Sequence, residues 1–304
     1  YSAWTNPFNE VKSYVSYRDT RFIVFWSKNP QPLIKYIPYL KQKNIRCYVQ
    51  YTLNDYVREG LEKGVRPSVD ERIETFKALR EAIGIAGSVV WRFDPLILTD
   101  AIGIDDLLQK IEYIGTRLKG YTEKLVFSYA DIELYAKVKR NLDANKIIYR
   151  EWTEEDMYEF ARQLSEMNRR LGWNYELATC GERINVNEED PQSLFSLYGI
   201  KKNHCIDDGL IVRIAWQDKA LCRFLNMDII TEEATLFGSS ERPAHAISID
   251  DTHYAINTKS NRDTGQREYC GCMKAKDIGE YNTCIHMCEY CYANTTKAKA
   301  AENF

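Results

Sequence analysis

Ser88-Val89-Val90-Trp91-Arg92-Phe93-Asp94-Pro95 is a largely apolar run that ends with an arginine, an aspartate and a proline. A run of this length, rich in β-branched and aromatic residues, predicts a strand that is buried on both faces. Runs of the same kind predict four more strands, at Phe22–Trp26, Arg46–Thr52, Lys124–Tyr129 and Tyr175–Cys180.

Apolar residues at helical spacing fill the intervals between these strands. Ser68-Val69-Asp70-Glu71 forms a capping box, in which the Ser hydroxyl and the Glu carboxylate satisfy first-turn N–H groups. The predicted helices are Leu33–Lys43 with Pro38 kinking or starting it, Val69–Ile83, Ile104–Leu118, Ile132–Leu142, and a helix capped by Thr153 that runs to Leu171. Alternating strands and helices of this length predict a parallel sheet with right-handed crossovers. The expected fold is therefore α/β: a partial, TIM-like parallel α/β barrel.

Three segments are expected along the chain. Residues 1–183 would form the barrel core, which looks incomplete at its N-terminus because the first residues show no periodic element. Residues 184–265 would be an irregular or helical insertion, with one amphipathic helix over Gly209–Phe224 and irregular polar chain over Asn226–Gln266. Residues 266–304 would be a separate cysteine-rich segment at the C-terminal end.

Composition limits the partners and the compartment. A net charge of −3 does not recommend nucleic acid as a partner, and no apolar run is long enough to span a bilayer. Five of the nine cysteines fall within Cys270–Cys291, which indicates metal binding in a reducing compartment more than a disulfide scaffold. The cytoplasm is the expected location.

Cys284-Ile285-His286-Met287-Cys288-Glu289-Tyr290-Cys291 carries three thiols in a C-x3-C-x2-C run. Thiolates suit iron–sulfur clusters and zinc. Three thiols on one cubane cluster leave the fourth iron open for chemistry, whereas structural zinc sites usually pair their ligands in two matching C-x2-4-C motifs. Iron–sulfur ligation by Cys284, Cys288 and Cys291 is the favoured interpretation, and zinc the alternative.

This spacing, with Tyr290 before the last cysteine, resembles the signature of the radical S-adenosylmethionine (SAM) superfamily. The resemblance implies a [4Fe-4S] cluster whose open iron binds SAM and cleaves it to methionine and a 5′-deoxyadenosyl radical. It also implies an external electron donor such as flavodoxin or ferredoxin. The radical would abstract hydrogen from a substrate that the resemblance does not identify. The alternative function is a non-catalytic zinc-binding protein that mediates protein or RNA contacts.

Four further cysteines are candidates for an auxiliary [4Fe-4S] cluster: Cys180, Cys205, Cys270 and Cys272. Their number and ligand type match a fully ligated cluster. The alternative is that Cys180 and Cys205 are small buried apolar residues, which is the better account of Cys47 and Cys222. His286 is either a donor to the cluster or a loop residue without a role.

Polar residues follow the predicted strands, and in an α/β barrel the carboxyl ends of the strands carry the chemistry. Arg92 would hold a carboxylate, and Asp94 or Glu182 would accept ribose hydroxyls; the alternative is that Arg92 and Asp94 form an ordinary ion pair. The candidate cofactor-binding residues are Tyr290, Lys28, Asn29, Thr52, Arg92, Asp94, Ser128 and Glu182. Because the cysteine triad comes after every predicted strand, we expect residues 266–294 to fold back over the carboxyl ends. The triad sulfurs would then lie within about 15 Å of Arg92.

Motifs along most of the chain resemble one family in particular, the domain-of-unknown-function family DUF1848. They are Phe25-Trp26-Ser27-Lys28-Asn29-Pro30, Trp91-Arg92-Phe93-Asp94-Pro95, Cys180-Gly181-Glu182, Cys205-Ile206-Asp207 and the spaced cysteines from Cys270 to Cys291. The resemblance implies the cofactor, SAM with its cluster. It does not imply a particular reaction.

Overall fold

The computed structural model describes residues 2–5, 11–180, 184–232, 242–266 and 269–304. The strands of this part of the chain are β1 (Ser2–Thr5), β2 (Lys12–Val15), β3 (Phe22–Ser27), β4 (Arg46–Thr52), β5 (Val89–Leu96), β6 (Leu98–Thr99), β7 (Lys124–Tyr129), β8 (Tyr149–Arg150), β9 (Glu176–Thr179), β10 (Lys201–Lys202), β11 (Met227–Thr231), β12 (Ile247–Ser248) and β13 (His253–Asn257). The α-helices are α1 (Ile37–Gln42), α2 (Val69–Ile83), α3 (Ile104–Leu118), α4 (Ala136–Ala144), α5 (Glu154–Arg170), α6 (Leu194–Tyr198), α7 (Asp208–Ala215), α8 (Lys219–Phe224) and α9 (Lys297–Asn303), and a 3-10 helix over Gln31–Tyr36 runs directly into α1.

A six-stranded parallel sheet in the order β10-β9-β7-β5-β4-β3 forms the centre of the molecule. Each strand is hydrogen-bonded to the next sheet strand along the chain, as in the register that sets Trp91 beside Leu125. Right-handed crossovers between strands in this sequential order place the connecting helices on one face. The expected α/β class and parallel sheet are confirmed.

The two faces of the sheet are covered differently. Phe76, Ile111 and Phe160, from α2, α3 and α5, pack in one core cluster with inward-facing strand residues such as Val49 and Trp91. Alternate strand residues point to the opposite face because successive side chains of a strand alternate. There Tyr48, Val90 and Val126 pack against residues of α7 and α8.

A closed TIM barrel is not shown. β3 and β10 lie at the two edges of the sheet, and no strand ladder joins them within the described residues. The face that would line a barrel interior is instead filled by α7 and α8, with Val212 and Leu221 buried against the sheet. The predicted core ended at residue 183, but the sheet also includes β10, which lies beyond that residue.

Several helix boundaries agree with the sequence prediction. α2 and α3 begin and end at the expected residues, and Ser68 and Thr153 cap α2 and α5. The predicted helix over Ile132–Leu142 begins later, at Ala136.

The predicted helix over Gly209–Phe224 is wrong as a single element. It is two helices, α7 and α8, because the Asp218 carboxylate accepts hydrogen bonds from the N–H groups of Ala220 and Leu221 and so starts a new helix.

The expectation of irregular chain over Asn226–Gln266 is also wrong where this segment forms β11, β12 and β13. β11 and β12 both pair antiparallel with β13, although residues 233–241 lie outside the described part. The first residues carry an unpredicted element as well, since β1 pairs antiparallel with β2.

No helix in the described ranges is both long and apolar enough to cross a membrane.

Ile111 is a fully buried residue of α3. Replacing it with Ala should reduce the free energy of unfolding by about 2–5 kcal/mol, since the change removes core contacts and leaves a cavity. Ile148 is 68% exposed, so Ile148→Ala should change stability by less than about 0.5 kcal/mol. Urea denaturation measures both. Equal losses in the two variants would contradict the assignment of the α3 face that packs on the sheet.

Candidate metal centres

The triad loop, Cys284–Cys291, lies against residues that follow the carboxyl ends of β3 and β4. The Tyr290 hydroxyl donates to the Glu62 carboxylate and accepts from Asn54 Nδ2 at 3.1 Å. Lys28, directly after β3, donates to the same Glu62 oxygen at 2.6 Å and lies 5.3 Å from the centre of the Tyr290 ring. Asn54 Nδ2 also donates to the Asp94 carbonyl at 3.1 Å. The C-terminal segment therefore folds back onto the carboxyl edge of the sheet, as expected.

Backbone contacts hold the loop in place. The Gly64 N–H donates to the His286 carbonyl at 2.9 Å, and the Glu289 N–H donates to the Leu61 carbonyl at 2.9 Å. A Cβ on Gly64 would lie 2.4 Å from the Ile285 carbonyl oxygen, so only glycine allows this approach. Met287 has a φ of +52°, a left-handed conformation that is uncommon for a side-chain-bearing residue. The loop thus makes a sharp turn between its first two cysteines.

Glu289 fixes the loop from the other side. Its fully buried carboxylate accepts from Lys297 at 2.6 Å and from Asn145 Nδ2 at 3.0 Å, and it lies 3.2 Å from Lys63 Nζ. Its backbone carbonyl accepts from Asn141 Nδ2 at 3.1 Å. A buried carboxylate is tolerated only when it is paired. Glu289 therefore ties the triad loop to α4 and to the start of α9.

The three thiols of the triad loop differ in access to solvent. Cys284 is exposed, Cys291 is half-buried, and Cys288 is only 7% exposed. Burial raises the pKa of the Cys288 thiol to about 12, although Lys28 opposes the shift. The Asn294 amide donates to the Cys284 carbonyl at 2.7 Å and closes the end of the loop.

Arg92 and Asp94 form the ion pair that the sequence left as an alternative. Arg92 Nε lies 3.1 Å from Asp94 Oδ2, and the Ser128 hydroxyl donates to the other Asp94 oxygen. Burial alone would raise the pKa of Asp94, but Arg92, Ser128 and Lys28 outweigh it and hold that pKa below its usual value. The sheet thus presents an ionised carboxylate at its carboxyl edge.

The remaining candidate cofactor residues are Thr52, Asn29 and Glu182. Thr52 is half-buried and pairs in register with Arg92. Asn29 is half-buried, and its N–H donates to the Ser27 hydroxyl at 3.0 Å. Glu182 lies outside the described residues.

The auxiliary thiols, Cys180, Cys205, Cys270 and Cys272, come together at the β9–β10 end of the same edge. Cys180 Sγ lies 3.0 Å from Cys205 Sγ, and the Cys205 N–H donates to Cys272 Sγ at 3.1 Å. Cys270 is close enough to Cys272 to raise the pKa of that thiol, which opposes the effect of Cys205. Contact with Cys205 and burial raise the pKa of Cys180, whereas contact with Cys205 lowers that of Cys272. Cys47 and Cys222 lie elsewhere, in the two core clusters.

His204 lies against Gly271, between Cys270 and Cys272, and beside two carboxylates. A Cβ on Gly271 would come within 2.3 Å of the His204 ring, so the glycine lets the Cys270–Cys272 backbone pass this side chain. Ligand atoms of His204, Asp207 and Asp208 lie within 4.8 Å of one another. Asp207 caps α7, and Asp208 accepts from Asn257 and Asn261. The clustered cysteines and this group suggest metal binding.

Both thiol groups offer sulfur atoms, the ligand type that soft metals prefer. Each combines several sulfur ligands with glycine backbone that a side chain would obstruct, and buried polar atoms lie next to both groups. His286 Nδ1 in the triad loop and Asn203 Oδ1 near Cys205 find no hydrogen-bond partner among the described residues. Orphaned buried polar atoms of this kind indicate that a further group belongs beside them.

Sequence reasoning missed several residues that contact the two thiol groups. Glu62, Asn54 and Asn203 lie in loops without a recognisable motif, and their partners are distant in the sequence. Glu289 had one available signal: a glutamate between two candidate metal ligands, Cys288 and Cys291.

Replacing Gly64 with Ala should displace the triad loop, because the new Cβ would overlap backbone atoms of Ile285 and His286. In metal-free protein the buried Cys288 thiol should then react with a maleimide about tenfold faster or more, since about 1.4 kcal/mol of loop destabilisation changes a population tenfold. Mass spectrometry of the labelled peptide measures the rate.

Gly103→Ala is the matched control, because its Cβ would lie 3.5 Å from Asp106 Oδ2, an ordinary contact. An unchanged rate in Gly64→Ala would contradict the close approach of the loop to residue 64.

Comparison with known proteins identifies a family without an assigned function. A solved citrate lyase from Burkholderia xenovorans LB400 is 10% identical with a TM-score of 0.30, and the alignment covers 52% of this chain and 40% of that chain. A likeness this weak carries no argument about fold or activity. No curated protein matches the chain. The family model described as domain of unknown function (DUF1848) matches residues 1–293, and the chain therefore belongs to the DUF1848 family.

Proposed function

We propose that this protein is a radical SAM enzyme that holds its catalytic [4Fe-4S] cluster on Cys284, Cys288 and Cys291. One observation carries the proposal: the triad loop lies directly against Lys28, Asn54 and the Glu62 carboxylate at the carboxyl edge of a parallel sheet. In open α/β sheets, ligands bind in the crevice outside the carboxyl ends of the strands. A three-thiol loop at that edge would present a cluster to a bound small molecule.

When bound, the cluster would supply the electron that cleaves SAM to methionine and a 5′-deoxyadenosyl radical. The ionised Asp94, held by Arg92 and Ser128, suits ribose hydroxyls as a hydrogen-bond acceptor. Lys28 suits a carboxylate, and the Tyr290 ring packs edge-on against Tyr56. Arg92 is already engaged by Asp94 and Gln50, so we assign it to holding Asp94.

An auxiliary [4Fe-4S] cluster on Cys180, Cys205, Cys270 and Cys272 is the second part of the proposal. Its support is the contact between the Cys180 and Cys205 thiols, the bond from the Cys205 N–H to Cys272 Sγ, and the electrostatic effect of Cys270 on Cys272. Four thiolates would ligate every iron of a cubane. Such a centre suits electron transfer more than substrate binding.

The reaction also needs an external electron donor, such as flavodoxin or ferredoxin, and the exposed Cys284 marks the side of the triad loop that a donor can approach. The substrate is not defined by these contacts. The SAM pocket is proposed to include Asn29, Thr52 and Glu182 as well.

Anaerobic reconstitution with iron and sulfide, followed by SAM and dithionite, should yield 5′-deoxyadenosine. Cys288→Ala should abolish this product, because a cluster ligand is lost. Cys222→Ala is the matched control: it removes a thiol of the second core cluster and should leave the yield within about twofold, a change below about 0.4 kcal/mol. Liquid chromatography quantifies the product.

Full SAM cleavage by Cys288→Ala would contradict the assignment of the triad. Zinc in place of iron after anaerobic purification, with no SAM cleavage, would instead support the non-catalytic zinc-binding alternative.

Iron analysis of the combined variant Cys284→Ala, Cys288→Ala and Cys291→Ala tests the auxiliary cluster. About four irons per chain should remain, one cubane on four thiolates. Adding Cys205→Ala should remove most of this iron, because Cys205 contacts both Cys180 and Cys272. A combined variant that retains no iron would overturn the auxiliary cluster.

A further inference from the structure

Arg92 lies between the two thiol groups. It is 5% exposed, and its Nη1 donates to Cys205 Sγ at 3.2 Å and to Gln50 Oε1 at 3.4 Å. The other side of the guanidinium faces Asp94, which neighbours the triad loop through Asn54. One buried cation thus contacts an auxiliary thiol and a carboxylate on the catalytic side.

Cys205 Sγ has a second donor. Asn203 Nδ2 lies 3.4 Å from it, and the Asn203 side chain is 2% exposed. Two N–H groups directed at one sulfur match a sulfur that carries negative charge, because a thiol is a weak acceptor. Gln50 Nε2 and the Tyr48 hydroxyl hold the Cys205 carbonyl at 2.9 Å and 2.7 Å, so the backbone at this cysteine is fixed.

Hydrogen bonds and net charge around cluster sulfurs set the reduction potential of an iron–sulfur centre. A reduced cluster carries one more negative charge than the oxidised form. A cation and an N–H donor at Cys205 therefore favour reduction, and a nearby carboxylate opposes it.

We propose that Arg92 and Asp94 are positioning residues that set the potential of the auxiliary cluster in opposite directions. This inference rests on the proposed function, since it requires a cluster on Cys180, Cys205, Cys270 and Cys272. The step involved is the uptake of one electron by that cluster from a reductant. Arg92 stabilises the reduced form through Cys205, and Asp94 partly neutralises Arg92.

Potentiometric titration with dithionite and redox mediators, followed by electron paramagnetic resonance, tests the inference. The background is the combined variant Cys284→Ala, Cys288→Ala and Cys291→Ala, in which the remaining signal comes from the cluster on the auxiliary thiols. Arg92→Gln should shift the midpoint potential downward, and Asp94→Asn should shift it upward. A purely structural disturbance has no reason to give opposite signs.

Arg213→Gln is the matched control. Arg213 pairs with Glu123 just before β7, at the amino edge of the sheet, so its removal should leave the potential unchanged. If Arg92→Gln binds no iron, Asn203→Ala replaces it, because it removes the second donor to Cys205 Sγ and should also lower the potential.

Bound iron with an unmoved potential, or shifts of the same sign in Arg92→Gln and Asp94→Asn, would overturn the inference and leave the proposed cluster standing. A background variant without iron would overturn the auxiliary cluster and this inference together.

Discussion

The pairing of the buried Glu62 carboxylate is the interaction on which the candidate site depends. Glu62 is completely buried, and it accepts hydrogen bonds from Lys28 after β3 and from Tyr290 of the triad loop. Burial would raise the pKa of Glu62, but Lys28, Tyr290 and Arg72 lower it below the usual value. Breaking a buried charge pair by removing one partner typically costs about 3–5 kcal/mol. Lys28 and Arg72 are the charged partners of Glu62, and the Tyr290 hydroxyl adds a hydrogen bond, so the triad loop is attached to a buried ion pair that is costly to break.

Sequential strand order and the filled second face explain why both thiol groups meet at one edge. Parallel strands bring all their carboxyl ends to the same side, so Lys28, Asp94 and Cys180 share that edge although they are far apart in the chain. α7 and α8 cover the face that a closed barrel would use for its interior. The C-terminal segment lies against the carboxyl edge of the sheet, and Arg92 lies between the two groups of cysteines.

Sequence patterns predicted the features that depend on neighbouring residues, such as helix bounds. Helix Val69–Ile83 follows from apolar periodicity and a capping box, and its bounds are correct. The break at Asp218 was missed because the apolar pattern continues across it while a side chain caps the second helix. The partners of Glu62 were not predictable, since Tyr290 lies 228 residues away and no periodicity records such a contact. Cysteine spacing and residues after strand ends remained the usable signals for the site.

The central claim is that the chain holds two separate clusters and that only the triad cluster meets SAM. Electron paramagnetic resonance of the dithionite-reduced protein, recorded with and without SAM, tests it most directly. The account predicts about eight irons per chain, two cubanes, and a spectrum in which SAM alters one signal only. That signal should be the one lost when Cys284, Cys288 and Cys291 are replaced. A spectrum that SAM leaves unchanged, or a SAM response that survives loss of the triad, would contradict the account.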